Sequence, residues 1–455
     1  MEIGPLGGKS CRDQAHVAPQ PNALIPSKTA PPSEPAAREP QIPAAEVPGD
    51  ERRSGRSVPW VASTYFAEGL PYSIVHQVSM ELFTSMGASA QVVGLTALYG
   101  LPWNLKFLWG PVMDRYGTLR RWAIGLEVAL AIAIALIAWP AQQLDLSAAA
   151  RVFLVVAVLA AAQDVAVDGF YMHALGKTDQ AELSGLRAGA FRLAMLAGKG
   201  GLVMIAGHVS WRACFYTGGG VMLLLAIVHA LALPRARPRE DAALSLPGAG
   251  VIDRASSSPA RFYLEAFRTF VAQPGAWVSL AFILVYRAGD AMMFSMSSKL
   301  LEHLGVNLAQ RGLLNGIAGA AGIAGSMMGG VVIARLGLRR TLAPIALGQG
   351  LAILLYVAIA ARAPTPLWID AAVIAERVVE GVGSAALVVF LMRRCAGDFR
   401  ASHFAIASAA MSLGATALGS VSGFVLARVG YPAFFVIAYV AAIPGIFLAR
   451  IVPTD

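Results

Sequence analysis

Residues 110–121 read GPVMDRYGTLRR, a polar interruption that carries Asp114, Arg115, Arg120 and Arg121 between two apolar runs. The chain nearly repeats it at 329–340 as GGVVIARLGLRR. Gly110, Arg115, Gly117 and Arg121 are answered by Gly330, Arg335, Gly337 and Arg340, with one residue fewer before the second arginine pair. The acidic place of the first copy, Asp114, is taken by Ala334 in the second. A basic knot that recurs at the same point between apolar segments implies two copies of one membrane-embedded unit with a shared orientation.

The rest of the chain fits that reading. Of 455 residues, 56% are hydrophobic and 14% charged, against roughly a quarter charged in a soluble protein. Runs such as ACFYTGGGVMLLLAIVHALALP (213–234) contain no Lys, Arg, Asp or Glu, and about 20 such residues cross the hydrocarbon core. Amphipathic periodicity with a polar face is largely absent, which argues against a soluble helical protein. Twelve spans are expected, at 58–82, 90–113, 122–140, 149–173, 187–207, 213–234, 274–296, 309–334, 341–361, 366–392, 402–427 and 431–451. The expected class is an all-α polytopic membrane protein: a six-helix bundle at 58–234, a cytoplasmic linker at 235–273 and a second six-helix bundle at 274–455. Residues 1–57, rich in Pro, Ala, Glu and Arg, lack the apolar content to offset ordering and are expected to be a disordered cytoplasmic tail without a signal-peptide core.

The net charge of +9 reads as loop charge facing anionic lipid, and no nucleic-acid partner is expected. Arginine and lysine concentrate in the 2/3, 8/9 and 10/11 loops and the linker, so the positive-inside rule places both termini and the linker in the cytoplasm. Cys11, Cys214 and Cys395 are scattered without metal or redox spacing. The glycine runs lack the lysine and hydroxyl residue of a phosphate cradle. No histidine cluster or nucleophile turn is present, so neither an enzyme, a cofactor nor a metal is expected, and an ion gradient is the simpler energy source.

Ionisable groups inside hydrocarbon face a cavity or a partner. Glu68, in YFAEGLPYS, falls near the middle of the first span and reads as a proton or substrate site, or as interior polar glue. In YRAGDAMMF of the seventh span, Arg287 and Asp290 are three apart, placed to pair with each other or to bind opposite ends of a substrate. Glu376 and Glu380 in the tenth span are four apart; two close carboxylates repel, which favours proton uptake, with Arg377 moderating it, or they form a buried network. Asp164 and Asp168 in the fourth span sit nearer the cytoplasm, where Arg192 of the fifth is at similar depth, as a gate, a static clamp or a substrate contact. Lys199 lies deeper. Lys106 snorkels towards the cytoplasm or attracts an anionic ligand.

Beyond these single residues, YFAEGLPYS, GLPWNLKFLWGPVMDR, AAQDVAVDGF, VYRAGDAM and AERVVEGVGSAALVVFLMR resemble the major facilitator superfamily over about residues 58–451. More narrowly they resemble its AmpG muropeptide permease branch, whose relatives include acetyl-CoA transporters. The resemblance implies two helical bundles, alternating access, and proton-coupled import of 1,6-anhydromuropeptides in the bacterial inner membrane. It gives Asp114 and Arg115 to a conformational, gating loop, and Asp164, Asp168, Arg287, Asp290, Glu376 and Glu380 to an internal polar path. An anionic glycopeptide also needs aromatic and neutral polar contacts, for which Tyr65, Trp103, Asn104, Gln163, Tyr171 and Tyr286 are candidates. Protons are the expected coupling ion, a small molecule and membrane lipids the partners, and a monomer the expected state. Two other functions stay open: uptake or exchange of another amphipathic anion, such as an acyl-CoA-like molecule or siderophore, and a membrane sensor or scaffold without transport.

Overall fold

The computed structural model describes residues 50–106, 109–234, 265, 267–362, 364–395 and 400–454, and Glu51–Asp455 fall in one compact unit. The helical stretches are numbered in chain order. α1 runs over Asp50–Ser73, continues through a π-helical turn at Ile74–Val78 and ends with Ser79–Ser85. α2 is broken into Ala90–Leu95, a 3-10 turn at Thr96–Gly100, Leu101–Asn104 and Trp109–Arg115. α3 (Leu119–Gln143), α4 (Leu146–Ala174), α5 (Ser184–His208) and α6 (Trp211–Ala232) complete the first bundle. The second contains α7 (Ala276–His303), α8 (Leu308–Leu336), α9 (Leu338–Ala361), α10 (Pro366–Arg394), α11 (Arg400–Val429) and α12 (Tyr431–Leu448). The expected spans match these helices to within several residues. The expected tail and linker lie largely outside the described residues; α1 begins at Asp50, inside the stretch read as tail.

Among the described residues, nine helices are long and apolar enough to cross a membrane. The other three, α1, α2 and α10, are the polar ones: α1 holds Glu68, His76, Gln77 and Glu81, α2 is broken near Asn104 and Lys106, and α10 carries Glu376, Arg377 and Glu380. Their composition is the mark of helices that line an interior rather than face lipid.

Helix ends follow local chemistry. Asp145 caps α4 by accepting from the amides of Ser147 and Ala148, both at 3.0 Å, and the Ala148 amide with the Ser147 hydroxyl holds its carboxyl below the usual range. Asn307 and Gln310 form a capping box at the start of α8. The repeated loops share their backbone: Gly117 and Gly337 have φ of +86° and +81°, the left-handed region that glycine enters without strain. Arg120 of the first loop donates to the carbonyls of Ala230 (2.6 Å) and Leu233 (3.2 Å), closing the end of α6. Asp114 lies in the Trp109–Arg115 helix, and its side chain is outside the described set.

Within the first bundle α3 packs on α4 and α6, and within the second α8 packs on α10 and α9 on α10 and α12. Between bundles, α2 meets α11, α5 meets α8, and Ser79–Ser85 of α1 meets α7. Small residues permit these approaches: a Cβ on Gly94 would stand 2.8 Å from the Gly423 nitrogen, and one on Gly200 2.8 Å from the Gly316 Cα. The contacts between bundles include Ser79–Ser85 of α1 against α7 and the Gly207 turn of α5 against Ala309 of α8.

Candidate functional site

Between the bundles lies a cavity of about 420 Å³. α1 supplies Tyr72, His76 and Gln77 to its wall, α5 Arg192 and Lys199, α7 Arg287, Asp290 and Phe294, and α10 Arg377, Glu380 and Ser384. Four cationic side chains against two carboxylates make the lining net positive, and apolar walls of low polarisability strengthen that attraction for an anion.

The second-bundle charges are organised by a break in α7. Arg287 sits between the two segments of that helix with φ −97° and ψ 15°, so it leaves the helical register that would set it beside Asp290. It pairs instead with Glu380 of α10, which also accepts from the Ser384 hydroxyl at 2.8 Å. Asp290 accepts from the amide of Gln349 on α9. Glu376, 1% exposed, turns away from the cavity and lies 3.4 Å from Arg377 Nε. The two α10 carboxylates therefore each have their own cation; at Glu376 this is the buried network with Arg377, one of the readings left open by the sequence, and Arg287 pairs with Glu380 where pairing with Asp290 is one expectation.

A second polar cluster lies within the first bundle, with Lys106 and Arg187 at its exposed edge. The Tyr65 hydroxyl donates to Asp168 at 2.8 Å, Arg187 pairs with the same carboxylate at 2.7 Å, and Lys106 pairs with Asp164 at 3.1 Å. Glu68, 6% exposed, lies beside Asp164 and Asp168. Its Oε2 has no hydrogen-bond partner among the described residues. The guanidinium of Arg187 stacks over the Tyr65 ring at 4.5 Å and over Tyr171 at 5.7 Å. Arg187 takes the place expected of Arg192, because α5 begins at Ser184 and Arg187 is one turn into it, while Arg192 reaches the cavity.

Of the expected residues, Arg192, Lys199, Arg287, Asp290 and Glu380 line the cavity. Glu68, Asp164, Asp168, Tyr65, Tyr171 and Lys106 form or border the first-bundle cluster, and Gln163 donates to the Ala67 carbonyl at 3.2 Å. Tyr286 is 5% exposed and donates to the Gly383 carbonyl at 3.2 Å, a packing role. Trp103 stands edge-on behind Tyr72 and His76, at 5.3 and 4.8 Å, and the neighbouring Asn104 has a buried amide nitrogen without a partner among the described residues. Arg115 is exposed, with its guanidinium 5.8 Å from the Tyr116 ring centre. Sequence reasoning missed Tyr72, His76, Gln77, Phe294 and Gln349 as site components. Two of them, His76 and Gln77, were legible as polar residues about two turns beyond Glu68.

The Major Facilitator Superfamily model matches residues 61–375 and 280–455. The chain belongs to the Major Facilitator Superfamily. It is 28% identical over 393 residues to the anhydromuropeptide permease of Escherichia coli K12, covering 84% of this chain and 77% of that one. In fold it matches the D-xylose-proton symporter with a TM-score of 0.67 at 13% identity, covering 88% of this chain and 98% of that one. The nucleoside transporter NupG matches with a TM-score of 0.64 at 14% identity, covering 86% of this chain and 97% of that one. This superfamily member is thus a multi-pass membrane transporter for a small molecule and not an enzyme, and the resemblance to AmpG-type permeases read from its motifs holds.

For a superfamily transporter the state of the two ends matters, and one end is sealed by a group that sequence reasoning passed over. Glu81 of α1 is fully buried and accepts from three side chains of the other bundle: Ser298 on α7 at 2.7 Å, Arg311 on α8 at 3.0 Å and Asn315 on α8 at 3.1 Å. Arg311 is 3% exposed and also donates to the Val306 carbonyl. A buried ion pair that bridges the bundles holds the cavity shut at this end.

Proposed function

We propose that this chain imports 1,6-anhydromuropeptides across the bacterial inner membrane by alternating access, with protons as the coupling ion. The observation that carries the reading is the inter-bundle cavity, net cationic yet walled on one side by aromatic rings, in a chain similar to an anhydromuropeptide permease. A peptide with free carboxylates suits the cations and a sugar suits the rings. The two bundles, 58–234 and 274–455, rock about the cavity with both termini and the linker in the cytoplasm.

Proton coupling falls to Glu68 with Asp164. Glu68 is buried, and its unpartnered Oε2 makes the ionised form expensive to keep there. Asp164 and Asp168, tied to Lys106 and Arg187, convey the change to α2 and α5. Glu380 holds Arg287 and ties α7 to α10, and Asp290 ties α7 to α9 through Gln349, beside the substrate.

Proteoliposomes containing the full chain should accumulate labelled anhydromuropeptide when the outside is acidic. Uptake unaffected by collapsing the proton gradient would sink the coupling. A cationic cavity also suits another amphipathic anion, so unlabelled muropeptide should compete and CoA compounds or a siderophore should not; the reverse pattern overturns the substrate assignment. Specific binding without flux would point to a sensor.

A further inference from the structure

α1 and α5 each leave α-helical hydrogen bonding for one turn, at Ile74–Val78 and Ala197–Leu202. The two π turns pack on each other, and Ser73 and Gly198 mark the contact: Ser73 Oγ donates to the Met195 carbonyl at 3.1 Å and occupies the space a Cβ at 198 would need. Single π turns inside α-helices recur at functional sites, where they re-aim side chains at a cost in regular hydrogen bonding. Here each aims polar side chains into the cavity, His76 and Gln77 from one and Lys199 from the other.

The two contributions differ in chemistry. Tyr72 and His76 stack at 4.1 Å with their planes 19° apart, Trp103 stands edge-on to both, and His76 Nδ1 is held by the Tyr72 carbonyl at 3.1 Å. The result is a stacked aromatic pair in the cavity wall. Lys199 is 7% exposed and has no hydrogen-bond or ion-pair partner among the described residues. Its ammonium lies 4.6 Å from the Phe294 ring centre, and the Arg377 guanidinium lies 5.1 Å from the same ring. An aromatic face attracts these cations but leaves the Lys199 ammonium, and the Arg377 N–H groups other than the Nε that faces Glu376, free to bind an acceptor.

We infer that the cavity is a two-part site with a fixed polarity: the Tyr72–His76 face takes a pyranose ring of the ligand, and Lys199 with Arg377 takes a carboxylate of its peptide. The negative face of an aromatic ring suits the polarised C–H groups of a sugar, and charge-assisted hydrogen bonds suit the carboxylate. This assignment rests on the reading of the chain as a muropeptide carrier and adds which end of the ligand goes where.

The test compares dissociation constants of intact anhydromuropeptide and of the same molecule with its peptide carboxylates converted to amides, on the purified full chain. Amidation should weaken binding to the wild type on the order of tenfold and cost little in Lys199→Met. Lys199→Arg, which keeps the charge, should restore much of the difference and shows that the site is folded. Tyr72→Leu should weaken both ligands by the same factor. An amidation cost unchanged in Lys199→Met, or a Tyr72→Leu variant that binds both ligands as the wild type does, overturns the polarity while leaving the muropeptide reading intact. Failure of the wild type to bind either ligand overturns that reading and this one with it.

Discussion

Replacing Glu81 with glutamine should open the sealed end of the transporter. The substitution keeps the shape but removes the charge that faces Arg311, a guanidinium only 3% exposed in the closed arrangement. Breaking one side of a buried ion pair costs about 3–5 kcal/mol. The Val306 carbonyl still accepts from Arg311, which argues for the lower figure. Nearly all of that cost falls on the closed state, because separating the bundles at this end returns Arg311 to water. A loss of about 3 kcal/mol corresponds to a shift of more than a hundredfold in the open-to-closed ratio. Ser89 and Gln310 flank the seal on opposite bundles and are exposed, so spin labels on Ser89→Cys and Gln310→Cys, in a background without the native cysteines, report the separation. Pulsed electron resonance should show one short distance for the parent and a dominant longer one for Glu81→Gln. An unchanged distance distribution would refute the reasoning. A fall in thermal stability with the short distance retained would make Glu81 a packing element and not a latch.

Three further outcomes follow from the packing. Gly207→Leu should lengthen the same distance without touching a charge, since any side chain at 207 meets the backbone of Ala309 across the bundles; a parental distance would show that the helices slide to make room. Glu127→Gln should lower the unfolding free energy by about 1–3 kcal/mol, because the fully buried Glu127 accepts from His229 Nδ1 at 2.8 Å within the first bundle; uptake per folded molecule should stay at the parental rate. Glu68→Gln fixes the neutral form, so counterflow exchange of muropeptide should persist while gradient-driven accumulation is lost; retained accumulation would move the coupling to another carboxyl.

The fold was legible because hydrophobicity written over twenty residues is a local signal, and because Gly117 and Gly337 adopt the same left-handed turn in both copies of the knot. The site was legible in its residue types but not in its pairing. Arg287 and Asp290 stand at helical spacing in the sequence, and only the break at Arg287 sends one to Glu380 and leaves the other to Gln349. Likewise Asp168 takes Arg187 and not Arg192, because five residues along α5 put the two arginines on different faces and only Arg192 turns to the cavity. Partners that lie 59 to 234 positions away, such as Gln349 for Asp290 and Asn315 for Glu81, leave no trace in spacing along a single chain. The π turns are equally silent, since IVHQV and AGKGGL carry no residue that requires them.

The choice of an ion pair at the seal has a consequence for turnover. The bundles also meet through small residues, with Gly207 against Ala309 and Gly423 against Ala90, and such contacts alone would favour a permanently closed end. Burying Glu81 and Arg311 opposes that, because desolvating two charges offsets most of their attraction, and replacing a buried pair with apolar groups of similar volume is often stabilising by about 1–4 kcal/mol. The double substitution Glu81→Leu with Arg311→Met should therefore do the opposite of Glu81→Gln. Ser298 can turn its hydroxyl back to its own helix, and Asn315 lines the cavity, so neither is stranded by the change. The double variant should hold the short label distance more firmly than the parent and bind substrate only from the open side. It should also slow uptake roughly tenfold or more, as about 1.4 kcal/mol on the opening step requires. Parental uptake combined with a tightened distance would mean that opening of this end does not limit the cycle; a lengthened distance would mean that the pair is net stabilising and that the seal is built on charge.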